Sequence, residues 1–90
     1  MAQSPEIETL DQLLGGQMPL GVIRRLYESD DGFTRGTLAL LRSGDVRLFD
    51  QSHTEVPPWR WRALFEEGQV LAALGSFALR VTETGAAKVS

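Results

Sequence analysis

The stretch Pro57-Pro58-Trp59-Arg60-Trp61-Arg62-Ala63-Leu64-Phe65-Glu66-Glu67-Gly68 constrains this chain more than any other, because it holds both tryptophans between two backbone signals of opposite kind. Paired prolines fix φ where the first amides of a helix have no partner, and a glycine can take the left-handed conformation that closes one. The pattern predicts one short helix ending at Gly68. Helical periodicity puts Trp61, Leu64, Phe65 and Gly68 on its core side, turns Arg60, Arg62, Glu66 and Glu67 outward, and leaves Trp59 at the rim. With Trp61 in the core, Trp61→Ala is expected to cost about 3–5 kcal/mol through the cavity it leaves.

A chain of 90 residues is expected to form a single domain, residues 1–90. By area scaling it hides only about 60–65% of the surface that its unfolded form exposes, so a homodimer contact would add to a small core. Hydrophobic residues make up 42% and charged ones 23%, a balance that excludes disordered and fibrous classes. The absence of cysteine excludes a disulfide framework and thiolate metal sites. No segment reaches the roughly 18 consecutive apolar residues of a membrane span, so no membrane partner is expected. Met1-Ala2-Gln3-Ser4-Pro5-Glu6 lacks the basic start and apolar run of a secretory signal, and a cytoplasmic location is expected.

Formal net charge is −3, which argues mildly against a phosphate-rich partner, but its distribution is uneven. Glu6, Glu8, Asp11, Glu28, Asp30 and Asp31 face only Arg24 and Arg25 in the first 31 residues, whereas the remainder is rich in arginine.

From the amino end, Ser4 and Pro5 announce a helix in which Ile7, Leu10, Leu13 and Leu14 recur at helical spacing, closed by Gly15-Gly16. Pro19 opens a second, with Leu20, Ile23, Leu26 and Tyr27 on one face. These two helices, residues 1–32, are the expected dimer contact. Residues from Thr34 to Gly44 read as a third helix, with a β-ribbon pairing Thr37–Arg42 with Val46–Asp50 as the alternative. Under the helical reading, Val46 and Phe49 anchor a further short helix; under the other, Val46, Leu48 and Asp50 alternate along a strand. Beyond Gly68, Val70–Leu74 and Phe77–Thr82 are expected to pair as a hairpin turning at Gly75, followed by a frayed polar tail from Glu83 to Ser90. The predicted class is α+β.

Leu64, Phe65, Gly68 and Val70 fit the end of a recognition helix running into a first wing strand, and Leu79-Arg80-Val81-Thr82-Glu83-Thr84-Gly85 fits an apolar-x-apolar-Thr-x-x-Gly pattern. In these residues the chain resembles a winged helix-turn-helix domain over roughly residues 34–88, within a unit spanning 33–90. The resemblance implies a DNA-binding protein of the kind found in transcriptional regulators, whose third helix enters the major groove while the wing touches the backbone or the minor groove. Carried to this sequence, it implies contacts from Trp59, Arg60, Arg62 and, on the wing, Arg80, with Ser76 beside it. Arginine suits the role, since its planar fork pairs with a guanine edge or a phosphate. The chain departs from the family in its two helix tryptophans, its acidic Glu66-Glu67 helix end and its nearly uncharged wing.

Other chemistry finds little support. His53 stands between Asp50 and Glu55 but lacks metal-ligand spacing, so no metal site is expected. Ser52 beside His53 does not make a nucleophile and base, the glycines form no phosphate loop, and a core this small leaves little room for a substrate pocket. No enzyme, cofactor or small-molecule substrate is therefore expected. Two readings stay open: a homodimeric DNA-binding protein, placed first, and a non-enzymatic protein-protein interaction module of α+β fold. Convergence of Arg35, Arg60, Arg62 and Arg80 on one surface would favour the first; acids interspersed among them would favour the second.

Overall fold

A computed structural model describes residues 4–89; Met1-Ala2-Gln3, part of the stretch read for a signal, and Ser90 of the tail lie outside the described residues. The class is α+β, with helices packed on one face of a three-stranded antiparallel sheet. Helix α1 spans Pro5–Leu13, where the Ser4 hydroxyl accepts from the Ile7 amide at 3.3 Å. A two-residue strand β1, Met18–Pro19, leads into the short helix α2, Leu20–Arg24. Both helices follow from their signals.

Helix α3 spans Asp30–Arg42, so the helical reading holds and the β-ribbon on Thr37–Arg42 does not form. Its start lies earlier than expected: Ser29, not Thr34, is the cap, accepting from the Gly32 amide at 3.0 Å, and Asp30 and Asp31 favourably face the positive end of the helix dipole. Val46–Asp50 is strand β2, which corrects the reading of a short helix there; Val46 and Leu48 are buried and Arg47 is exposed, the alternation of a strand with one wet face.

The expected hairpin at Gly75 is also corrected. Phe77–Val81 forms strand β3, yet its partners are β2, with Leu48 opposite Leu79, and β1, with Met18 opposite Leu79. Strand β3 is thus central, and Val70–Leu74, free of the sheet, folds into tight 3-10 turns with Val70 buried.

Nor is the tryptophan stretch a single helix. Pro58–Arg60 is a 3-10 turn, and Arg62–Glu66 winds wider as a π-helical turn in which the Glu67 amide bonds the Arg62 carbonyl at 3.1 Å. Gly68 closes it at φ +78°, the left-handed conformation anticipated there. The wider winding turns Leu64 and Phe65 together into the core, where the Phe65 ring lies 6.5 Å from that of Phe33.

The tail is ordered by a clasp rather than frayed. Helix α4, Glu83–Ala87, is capped by Thr82, whose hydroxyl accepts from the Gly85 amide at 3.1 Å and reaches the Gly44 carbonyl at 2.6 Å. A Cβ at Gly85 would overlap the Asp45 carbonyl, so only glycine permits this approach. The core lies between the helices and the inner sheet face, where Leu10, Leu13, Leu20, Ile23 and Phe33 meet Leu48 and Leu79.

Candidate functional site

The surface is built from arginines that the fold sets beside acids. Asp30 and Asp31, at the start of α3, hold Arg24 at 2.7 Å and Arg35 at 3.2 Å. At the other end of that helix the two Glu66 oxygens take Arg42 at 2.9 Å and Arg62 at 3.3 Å. The last of these contacts has helical i,i+4 spacing; the Arg42 contact requires the π-helical turn to dock against α3. Arg47 meets Glu55 at 3.5 Å. Among the described residues, Arg25, Arg60 and Arg80 have no carboxylate within ion-pair distance.

The four residues singled out by the resemblance differ in their surroundings. Trp59 projects from its turn with 80% of its surface exposed, the most exposed large hydrophobic side chain described. Arg60 is half-buried beside a shallow hollow lined by Asp50, Gln51 and Ser76. Arg62 is held by Glu66. Arg80 lies on the outer face of the sheet, its guanidinium carbon 5.5 Å above the Phe49 ring. Ser76 turns to Gln51, whose amide nitrogen donates to its hydroxyl at 3.2 Å.

Trp61, expected in the core, is half-buried against its edge, and its indole N–H donates to the Val56 carbonyl at 3.2 Å. The apolar stripes of α1 and α2 are spent on the chain's own core, leaving Leu14 and Val22 as their exposed apolar residues.

Among the described residues, Asp45 is the one buried carboxylate. It is 2% exposed, accepts from Lys88 and from the Ser43 hydroxyl at 2.7 Å each, and has one oxygen, Oδ1, without a partner. Burial pushes its pKa up, but the Lys88 and Ser43 bonds and the Lys88 charge outweigh burial and hold it below the usual carboxylate value. This arrangement fastens the carboxyl end of α3 to α4.

His53 sits in a tight turn at φ +61°, its amide bonded to the Asp50 carbonyl at 3.0 Å, while the Asp50 carboxylate accepts from the Ser52 and Thr54 amides. The acid beside the histidine is therefore engaged in shaping the turn. Among the described residues no three His, Cys, Asp or Glu side chains cluster as metal ligands, and no helix is long and apolar enough to cross a membrane.

Sequence reasoning missed the juxtaposition of Arg47 with Arg80, which are direct partners across β2 and β3. The alternation around Arg47 signalled an outward arginine, but its neighbour depends on a strand pairing that spans residues 51–76. Compared with models of protein families, with characterised proteins and with solved structures, the chain matches none.

Proposed function

We propose that this chain is a non-enzymatic protein-protein interaction module on a winged-helix-like scaffold. The scaffold is supported by element order: three helices precede the β2–β3 pair, and β3 lies between β1 and β2. In this reading α3, not the tryptophan stretch, occupies the position of the third helix.

The observation that carries the functional reading is the interleaving of charge. Four arginines, Arg24, Arg35, Arg42 and Arg62, each lie within 3.3 Å of a carboxylate oxygen. A phosphate backbone gains affinity by releasing counterions from basic side chains, and here Asp30 and Asp31 stand at the end of α3 that would meet it. Trp59, by contrast, presents a large rigid aromatic surface of the type that anchors protein interfaces.

The DNA-binding reading is the second, favoured by the position of α3 in the element order. Titration of a labelled mixed-sequence duplex at low and at physiological salt separates the two. The module reading expects no binding at either salt, and loss of a captured partner protein on Trp59→Ala with the fold intact. Low-salt binding that falls steeply as salt rises, and disappears in an Arg35→Ala, Arg42→Ala double variant, would establish the DNA reading instead.

A further inference from the structure

The outer sheet face holds a pair of charges that strand pairing does not require. Arg47 of β2 lies directly opposite Arg80 of β3, and like charges in that relation destabilise an antiparallel pair. Glu55 offsets this weakly, since its 3.5 Å contact with Arg47 is made by side chains largely open to water. Arg80 lies over the Phe49 ring and, among the described residues, has no carboxylate within ion-pair distance. Beside the pair lies a hollow of about 750 Å³ whose apolar lining includes Phe49, Pro58, Trp61 and Val81, with Glu55 and Glu83 also on its walls.

We infer that this hollow binds a segment of a partner protein that carries a single carboxylate, placed across Arg47 and Arg80, while a neighbouring apolar side chain rests on Phe49 and Trp61. A carboxylate between the two guanidinium groups would remove their mutual repulsion and accept charge-assisted hydrogen bonds from both. The walls also select against a nucleic-acid strand, whose successive phosphates would run into Glu55 and Glu83. A single carboxylate needs only the arginine pair. This inference rests on the interaction-module reading and gives it a location.

The test uses the full chain and two fluorescein-labelled, end-capped peptides of Leu, Ser and Gly, one carrying a single Glu beside a Leu and the other Gln in its place, followed by anisotropy. The Glu peptide should bind about tenfold or more tighter than the Gln peptide, the ratio expected of hydrogen bonds between ions. Arg80→Gln should abolish that preference while leaving the chain folded, since the exposed Arg80 gives up both a repulsion from Arg47 and a contact with the Phe49 ring. Equal binding of both peptides, binding of neither, tighter binding of a single-stranded oligonucleotide, or a preference that persists in Arg80→Gln would each overturn the inference. If it is overturned while Trp59→Ala still abolishes capture of a partner protein, the module reading stands with its contact elsewhere. If Trp59→Ala has no effect and duplex DNA binds, that reading falls too.

Discussion

Residues 20–50 bury their apolar side chains from helices and a strand with marked starts and stops, whereas residues 51–76 bury theirs from a succession of turns. In the first region Ser29 caps α3, and Phe33, Leu40 and Leu41 reach the core at helical spacing. In the second, the backbone bonds after Val56, whose amide reaches the Leu48 carbonyl of β2, close single turns, as from Arg60 to Pro57, Leu71 to Gly68 and Ser76 to Ala73, and the chain is fixed by Val56, Leu64, Phe65 and Val70. The difference shows that complete burial does not require regular secondary structure. A segment ordered by a few anchors has little cooperative backbone to fall back on, and should open locally before the rest.

The strongest challenge to that contrast is Phe33→Ala. Phe33 is fully buried and touches the rings of both Tyr27 and Phe65, so its loss should cost about 3–5 kcal/mol in denaturant unfolding and weaken both regions in one transition. Two separate transitions would mean that the regions are independent units. Next, Gly85→Ala should cost about 1–3 kcal/mol, because the new methyl displaces the Asp45 carbonyl and loosens the clasp at the end of the regular region. A thermal melt unchanged from wild type would show that α4 contributes little.

Trp61→Ala should cost about 2 kcal/mol, from one indole hydrogen bond and partial burial, less than a core position would give. Amide exchange should rise chiefly within residues 51–76; a rise of equal size throughout α3 would erase the distinction between the regions. A pH series isolates the clasp. The Asp45 carboxyl titrates lower in the folded chain than when unfolded, so its stabilisation is present above the ordinary carboxylate value and is lost as pH falls through the depressed one. Wild type should therefore lose Tm on acidification more steeply than Asp45→Asn. Parallel curves would assign the acid sensitivity to other groups. Smallest of all, Trp59→Ala should alter stability by less than about 0.5 kcal/mol, as expected for an exposed residue, and a larger loss would mean that Trp59 packs on the chain itself.

The same contrast explains what could be read from the residues. Caps and periodicity are local, and Ser4, Pro5 and the leucines of α1 reveal that helix directly, whereas the leucines of α3 leave a β-ribbon open and its cap is Ser29 rather than Thr34. The left-handed glycine at 68 was equally legible. Strand pairing is not local: Val70–Leu74 and Val46–Asp50 are both short apolar runs, and proximity favours the wrong one as the partner of β3. Strand β1, only Met18–Pro19, carries no periodicity at all. The Thr82-to-Gly85 pattern was visible, but its physical reason, a hydroxyl and a missing Cβ meeting residues 44 and 45, appears only with the fold. In the candidate site, Arg62 with Glu66 follows from helical spacing, while Arg47 with Arg80 depends on register.

Asp50 and Phe77 are register partners although the chain between them runs from 51 to 76. Closing so long a loop delays the first contact between β2 and β3 without greatly weakening the finished sheet, since each doubling of loop length adds only about 0.6 kcal/mol of closure entropy. The helices, whose contacts are near in sequence, are free to form first, and the rate of reaching the native state is set by when the two strands meet. Shortening the turns between the anchors would then act on the folding rate more than on the equilibrium, making the segment a place where kinetics and stability can be changed separately.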